Sequence, residues 1–354
     1  MAVPFTRLAS QVLDHHETRL NNALKAANGV ISVLGSRGRI QMVNGGGENF
    51  KERILFSGNT NIGFRGKNAT IPTNDDEGIT MASVPQRVID GSIVINQVER
   101  DQARGPWAIG RLMQDKIDQF ETSWVQKWAE VLLQATPGAN DPFSLLPSGT
   151  SGTINGILSP VAPASAAGTT AGISRADNDW WRNQYTNTSI DLSTEAGDDS
   201  FYNLLYSQCI FGASRQDEPD FGLTSFAIFG NMGSGASAKR RGTLTDQGTS
   251  KLGFRNLVYY NATMIQEVST RIASKVALLN TRDIRIAVLK PTGGSTKQVD
   301  QQNNLGSIPV AFRDVNGSRF QRDINSLNDV AVGYIVAGLV PRLLRTHGLA
   351  DNVS

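Results

Sequence analysis

Residues 107–134 constrain this chain more than any other stretch. Ile109, Met113, Ile117, Phe120, Trp124, Trp128 and Val131 recur every three or four residues, the spacing that lines one side of an α-helix with apolar groups. Pro106 suits a first helical turn, where its missing N–H costs nothing. Pro137-Gly138 closes the pattern. At ~1.5 Å per residue such a helix runs for roughly 40 Å. A rod of that length with one apolar stripe needs an extended surface to bury it. Trp124 and Trp128 are expected to pack it onto a sheet.

The residues before the helix pose the opposite problem. Strands are expected at 51–56 and within RVIDGSIVINQVER (87–100), where Val88, Asp90, Ile93, Ile95, Gln97 and Glu99 alternate imperfectly around a glycine. Between them lie about thirty residues, a length uncommon inside a compact body unless the loop is functional or covered by a partner. Ile62, Phe64, Ile71 and Ile79 are scattered there among Gly, Asn, Thr and Asp. The expected arrangement is a two-stranded arm projecting from the body. An isolated ribbon is marginal in water, so a neighbouring chain must supply its apolar and backbone partners. Residues 57–84 are therefore expected to be dispensable for folding the body and required for assembly.

The remainder reads as mixed helix and strand. Val12, Leu20 and Leu24 give a faint helical pattern that stops at Asn28-Gly29. Short apolar alternations with flexible breaks follow, and Gly45-Gly46-Gly47 marks a hinge or turn. After the long helix, residues 135–180 are rich in Pro, Gly, Ser and Ala, with a low-complexity turn at SPVAPASAAGTTAG. An aromatic-marked extended segment, ISRADNDWWRNQYTNTSIDLST, comes next. DSFYNLLYSQCIF has helical spacing, with Phe201, Leu204, Leu205, Cys209 and Ile210 on one side. LTSFAIFGN, NLVYYNATMIQEV, KVALLN and DIRIAVL read as strands. VAVGYIVAGLV (330–340) reads as a buried strand, since it is about half the length of a membrane span. No membrane association is expected.

Charge and cysteine usage exclude several functions. The 354 residues hold 34 Lys+Arg against 32 Asp+Glu, a net +2 that lacks the cationic footprint of a strong phosphate binder. The single cysteine, Cys209, rules out an intrachain disulfide and a Cys-based zinc cluster. It fits a reducing compartment. Asp14, His15, His16 and Glu17 interrupt the N-terminal stretch where a signal peptide would need an apolar core.

Those same four residues resemble a metal site, but neighbours on a helix point about 100° apart and cannot converge on one ion. His347 stands near a chain end that reads as poorly ordered, and Cys209 reads as a small core residue. KPTGGSTK (290–297) and Gly63-Phe64-Arg65-Gly66-Lys67 lack the spacing of a phosphate loop and read as turns. Asp75-Asp76-Glu77, Asp198-Asp199 and Asp217-Glu218 read as loop or helix-start acids. Lys239-Arg240-Arg241 reads as a solvated loop. Trp107, Trp124, Trp128, Trp180 and Trp181 lack the interleaved basic residues of a base-stacking platform, so packing or an interface explains them better. No catalytic, cofactor-binding or metal residue is assigned, and no cofactor.

RGPWAIGRLMQDKIDQF at the helix start, GISRADNDWWRNQ, LTSFAIFGNMG, LGFRNLVYYNATMIQEV with ALLN, and the closing VGYIVAGLVPRLLRTHGLADN occur in an order that resembles the major capsid protein of tailed bacteriophages. The resemblance covers nearly the whole chain. It implies the Hong Kong 97-like fold, an α+β architecture with an N-terminal arm (1–48) and an extended loop (49–104). A peripheral domain (105–195 and 321–354) would hold the spine helix 107–134, and an axial domain would span 196–320. It further implies a non-enzymatic subunit of an icosahedral head around double-stranded DNA, assembled in the host cytoplasm and resident in the virion. Partners would be further copies in hexamers and pentamers, with weak non-specific contact to packaged DNA. Only about fifty residues precede the loop, so any scaffolding protein would be separate, as would portal and decoration proteins. Lys51 and Lys67 lie in or near the loop but match no crosslinking motif. The alternatives are an encapsulin-type shell and, from another class, a cytosolic α/β enzyme with an unrecognised site.

Overall fold

The computed structural model describes residues 29–44, 47–58, 61–67, 70, 78–103, 106–133, 157–158, 168–210, 217–234, 256–267, 272–290, 311–312, 321–322 and 328–354. In chain order they form helix α1 (Gly29–Ser36), strands β1 (Ile40–Val43), β2 (Asn49–Leu55), β3 (Ile79–Pro85) and β4 (Arg87–Asn96), and helices α2 (Gln97–Gln102) and α3 (Pro106–Leu133). Short strands β5 (Thr169–Thr170), β6 (Ile173–Ser174) and β7 (Gln184–Thr186) precede helix α4 (Glu195–Phe201), strand β8 (Phe221–Ser225) and helix α5 (Phe226–Ser234). Strands β9 (Asn256–Tyr259), β10 (Ala262–Glu267), β11 (Val276–Leu279) and β12 (Ile284–Leu289) follow. Then come β13 (Ala311–Phe312), β14 (Gln321–Arg322), β15 (Asn328–Pro341) and β16 (Gly348–Ala350).

The long strand β15 organises the first sheet. On one edge it pairs antiparallel with β4, from Asn328 opposite Asn96 to Ala337 opposite Arg87. On the other edge it pairs with β12, which in turn carries β1 in parallel. Strands β13 and β14 also pair with β15. Helix α3 lies across β4. At Gly91 an added Cβ would stand 2.8 Å from Phe120 and 3.5 Å from Trp124, so the crossing needs a residue without a side chain. Met113, Ile117, Phe120, Trp124, Trp128 and Val131 are all buried, as the helical spacing predicts, and Ile109 packs at the margin. They share one core with Ile89, Ile93, Ile95 and Ile335 of the sheet.

The second sheet runs β7-β16-β11-β8-β10-β9. Tyr260, at φ 52°, turns β9 into β10. The chain crosses between the sheets after β11 and again after β15, and hydrogen bonds tie these crossings together. His347 Nδ1 accepts from the Asn280 N–H at 3.0 Å, and the Thr346 hydroxyl donates to Asp283 at 2.7 Å. The Arg342 N–H donates to the Asp283 carbonyl at 2.7 Å. Arg37, just past α1, adds an ion pair with Asp220 and a 2.7 Å hydrogen bond to Thr281.

Several expectations are corrected. Residues 29–36, expected as part of a run of short apolar alternations, form helix α1, with seven of its eight residues buried. The ribbon partner of β2 is β3, not residues 87–100: Leu55 stands opposite Ile79 and Asn49 opposite Pro85. Residues 97–102 turn helical, with Asn96 Oδ1 accepting the Val98 N–H at 2.8 Å as a cap. The strand expected over LTSFAIFGN ends at Ser225, whose hydroxyl accepts the Ile228 N–H at 3.4 Å as α5 starts. Leu204 and Ile210 are exposed while Phe201, Leu205 and Cys209 are buried. A π-turn over Tyr202–Tyr206 widens that helix, so residues three apart leave the buried side while those four apart stay on it.

Strand β12, within 196–320, belongs to the first sheet, and β16, within 321–354, belongs to the second. The faint helix before residue 28, Gly45-Gly46, and most of the 135–167 segment lie outside the described residues.

Candidate assembly surfaces

The β2–β3 ribbon has an anchored root. Phe50 and Val84 fill the space over Gly338, where a Cβ would lie 2.8 Å from one ring carbon of Phe50. They form a small core with Ala287 and Val340. Glu52, on the same inward side, ion-pairs with Arg285 and with Arg342 Nε at 3.3 Å. Phe56 stacks on Trp180 with ring centres 4.8 Å apart and planes 10° from parallel. The Ser83 N–H donates to the Ala171 carbonyl at 2.8 Å, at the tip of the β5–β6 hairpin. The expected projecting arm is therefore laid across its own body up to Phe56 and back from Gly78.

On the outward side of that root, and at the described residues of the tip, apolar groups are bare. Leu55 and Ile79, paired across the ribbon, are 72% and 66% exposed, and Met81 is exposed on the same outward side. Ile62 is 81% exposed and Phe64 wholly so. Single exposed apolar residues need no explanation, but a cluster of this kind marks an interaction site.

The first sheet offers a second, partly exposed apolar region. Successive strand residues face opposite ways, so Val330, Val332, Tyr334 and Val336 share the face of Gly338. In register with them stand Val94, Ser92, Asp90 and Val88 of β4. Val88 and Val94 are exposed, and the four β15 residues are half-buried. Beside this face, a groove of about 580 Å³ runs between β4 and α3, lined by Asp90, Ser92 and Val94 and by Lys116, Gln119 and Lys127. Among the described residues, no strand pairs with that edge of β4.

The titratable residues singled out from sequence do not converge. Cys209 is buried, and burial pushes its thiol well above the ordinary range. His347 is also buried rather than at a loose end, because β16 inserts into the second sheet directly after it. Burial lowers its pKa to about 3. Asp198 is buried and accepts the Tyr259 hydroxyl. Glu218 accepts the Asn261 amide at 2.8 Å. Trp181 is buried, its indole N–H donating to the Thr170 carbonyl at 2.9 Å. Gly63–Lys67 is exposed non-regular chain. Asp14–Glu17, Asp75–Glu77, Lys239–Arg241 and residues 291–297 lie outside the described residues. Among those described, no three His, Cys, Asp or Glu side chains group as a metal site would require. Among them, too, no helix is long and apolar enough to cross a membrane.

No protein-family profile matches the chain, and neither does any curated protein sequence. Solved structures do match. The cyanophage A-1(L) capsid subunit superposes with a TM-score of 0.58 at 15% identity, covering 91% of this chain and 92% of that one. The capsid of the native GTA particle gives 0.52 at 13% identity, covering 91% and 90%. The SrpI encapsulin of Synechococcus elongatus PCC 7942 gives 0.46 at 12% identity, covering 89% and 85%. The fold is that of phage capsid subunits, the Hong Kong 97-like fold expected from the sequence motifs.

Proposed function

We propose that this chain is the major capsid protein of a tailed double-stranded DNA bacteriophage. It builds the icosahedral head from hexamers and pentamers of itself, in the host cytoplasm, and remains in the virion. The observation that carries this reading is the pairing of a capsid fold over nine-tenths of the chain with apolar side chains that its own body leaves bare. Its role is structural rather than catalytic. In this reading residues 1–48 are the arm and the β2–β3 ribbon is the extended loop. Helix α3 is the spine of a peripheral domain built on the first sheet, and the second sheet forms the axial domain. Contact with packaged DNA is weak and non-specific in this reading, as the net +2 charge suits.

The test is electron microscopy of the chain expressed alone and together with its gene neighbours. Closed icosahedral shells are expected, and terminase, portal and head-protease genes nearby. A stable monomer whose melting shifts with a small ligand would overturn the reading. Shells encoded beside a peroxidase or ferritin-like gene would replace it with a cargo compartment.

A further inference from the structure

The β5–β6 hairpin carries a buried charge that no described carboxylate meets. Thr170 stands opposite Ile173, and Arg175, two residues further on, shares their side of the hairpin. The Arg175 N–H donates to the Gly168 carbonyl at 2.9 Å, continuing the ladder. Thr170 is buried and Arg175 wholly so. One guanidinium nitrogen, Nη2, donates to Asn183 Oδ1 at 2.9 Å. Nε and Nη1 meet no acceptor, and the buried Thr170 hydroxyl has no partner either.

The local sequence supplies no counter-charge. No Asp or Glu occurs from 142 to 176 or from 180 to 190. Asp177 and Asp179, between these stretches, are exposed, and Asp179 ion-pairs with Arg182. Arg182 lies close by, donating to the Arg175 and Ala176 carbonyls. Burial and this second cation lower the Arg175 pKa to about 10, which still leaves the guanidinium charged at neutral pH. A fold strongly disfavours a buried charge left unpaired. With Asp179 cancelling Arg182, one positive charge remains. A monovalent anion balances it. A divalent oxyanion would bury excess negative charge and need more donors than Arg175 and Thr170 provide.

We infer that the inward side of this hairpin binds one small monovalent inorganic anion of the chloride type, held by the Arg175 guanidinium and the Thr170 hydroxyl. The site is separate from the assembly surfaces and does not depend on the shell reading. It underlies the support of the ribbon root. The Ala171 carbonyl at the hairpin tip accepts the Ser83 N–H, and Trp180 stacks on Phe56. The anion therefore steadies the seat on which the root lies.

Thermal melting of the full chain at fixed ionic strength, with chloride replacing gluconate, tests this. The wild-type midpoint should rise saturably, by about 5 °C at roughly a hundred times the half-saturating chloride concentration. Arg175→Gln should melt at one temperature in both salts, and Arg175→Lys, which keeps the charge, should retain part of the response. Thr170→Val removes only the hydroxyl, so the response should persist with a half-saturating concentration about tenfold higher. That variant carries the test if Arg175→Gln does not fold. A wild type indifferent to chloride would overturn the inference. So would an unchanged chloride response in Arg175→Gln or in Thr170→Val, which would place the ion elsewhere. A wild type indifferent to chloride but destabilised by Glu77→Gln would assign the counter-charge to the chain's own acid instead. Shell assembly does not enter this readout, so any of these failures leaves the proposed function standing.

Discussion

The two sheets differ in how their strands are buried. In the second sheet β8, β11 and β16 are buried at every position. In the first sheet β4 and most of β15 alternate between buried and accessible residues. A strand buried on both faces has found its partners within its own chain, whereas an alternating strand keeps one face available. Among the described residues, α3 closes one face of the first sheet and the ribbon root part of the other, while the rest of that face stays partly exposed.

The largest effect that would break this contrast comes from the closed face. Trp128 is fully buried under α3, and Trp128→Ala should cost ~3–5 kcal/mol, a large share of a typical domain's stability. Val332→Ala, on the partly exposed face of the same sheet, should cost roughly 1 kcal/mol or less. Urea unfolding of both variants checks this. Equal losses would mean that the two faces are not different in kind.

How much of this could be read from the chain depends on which strand is read. Helix α3 was legible because one face meets a core and the other meets water, which leaves a period of 3.6 in the sequence. The β9–β10 hairpin and β15 were legible through apolar runs with β-branched residues. Helix α1 was not, since a helix buried all round carries no period and VISVL suits a strand equally well. Strand β3 was hidden for a different reason. Its sequence ITMASVP sets Thr80, Ala82 and Val84 inward and Ile79, Met81 and Ser83 outward, so neither face is distinctly apolar. Of the assembly surfaces, Ile62 and Phe64 stood out as apolar residues in polar chain. The strip on β4 and β15 did not, because its valines look like core until the sheet's cover is known.

The join between the sheets should respond to acid. His347 is held neutral by burial, with the Asn280 N–H on Nδ1 and the Leu343 carbonyl nearby. Its pKa of about 3 lies below the ordinary 6.5, so the fold favours the neutral ring. The stability this contributes is complete above about pH 6.5 and is lost as pH falls toward 3, on the order of a few kcal/mol. Asp283 works in the opposite sense. Burial raises its pKa despite the Thr346 hydrogen bond and the nearby Arg342 and Arg39, with Asp217 adding to the rise. Its contribution is present at low pH and lost as pH rises through that raised value. Stability measured from pH 7 to 3 should therefore fall in the wild type and fall less in His347→Gln, which can still accept from Asn280. Parallel profiles would show that His347 does not titrate on unfolding.

A smaller effect is expected where the covered part of the first sheet's face meets the partly exposed part. In Gly338→Ala the new methyl would meet Phe50 at 2.8 Å, and overpacking of this kind costs about 1–3 kcal/mol. Lifting the root would also disturb the Phe56–Trp180 stack. A change in tryptophan emission should accompany the lost stability. Unchanged emission with unchanged melting would mean that the ribbon is not seated on Gly338.

The smallest effect on stability, and the sharpest on assembly, belongs to the ribbon tip. Its described residues include none of the buried anchors that hold the root: Ile62 and Phe64 are exposed, and Gly58, Gly63 and Gly66 have open space where a Cβ would stand. Replacing residues 57–78 with a short Gly/Ser turn leaves β2 and β3 paired from Leu55–Ile79 to Asn49–Pro85. Melting should then stay within about 0.5 kcal/mol of wild type, as for changes away from packed groups, while sedimentation shows particles lost. Extending the deletion through residue 84 is a different experiment. It removes Ala82 and Val84, which are buried, and leaves the backbone of β2 without its partner, so the body itself should unfold more readily. If both deletions melt alike, the root is not part of the body. If the shorter deletion still closes shells of normal size, the tip makes no contact that assembly needs.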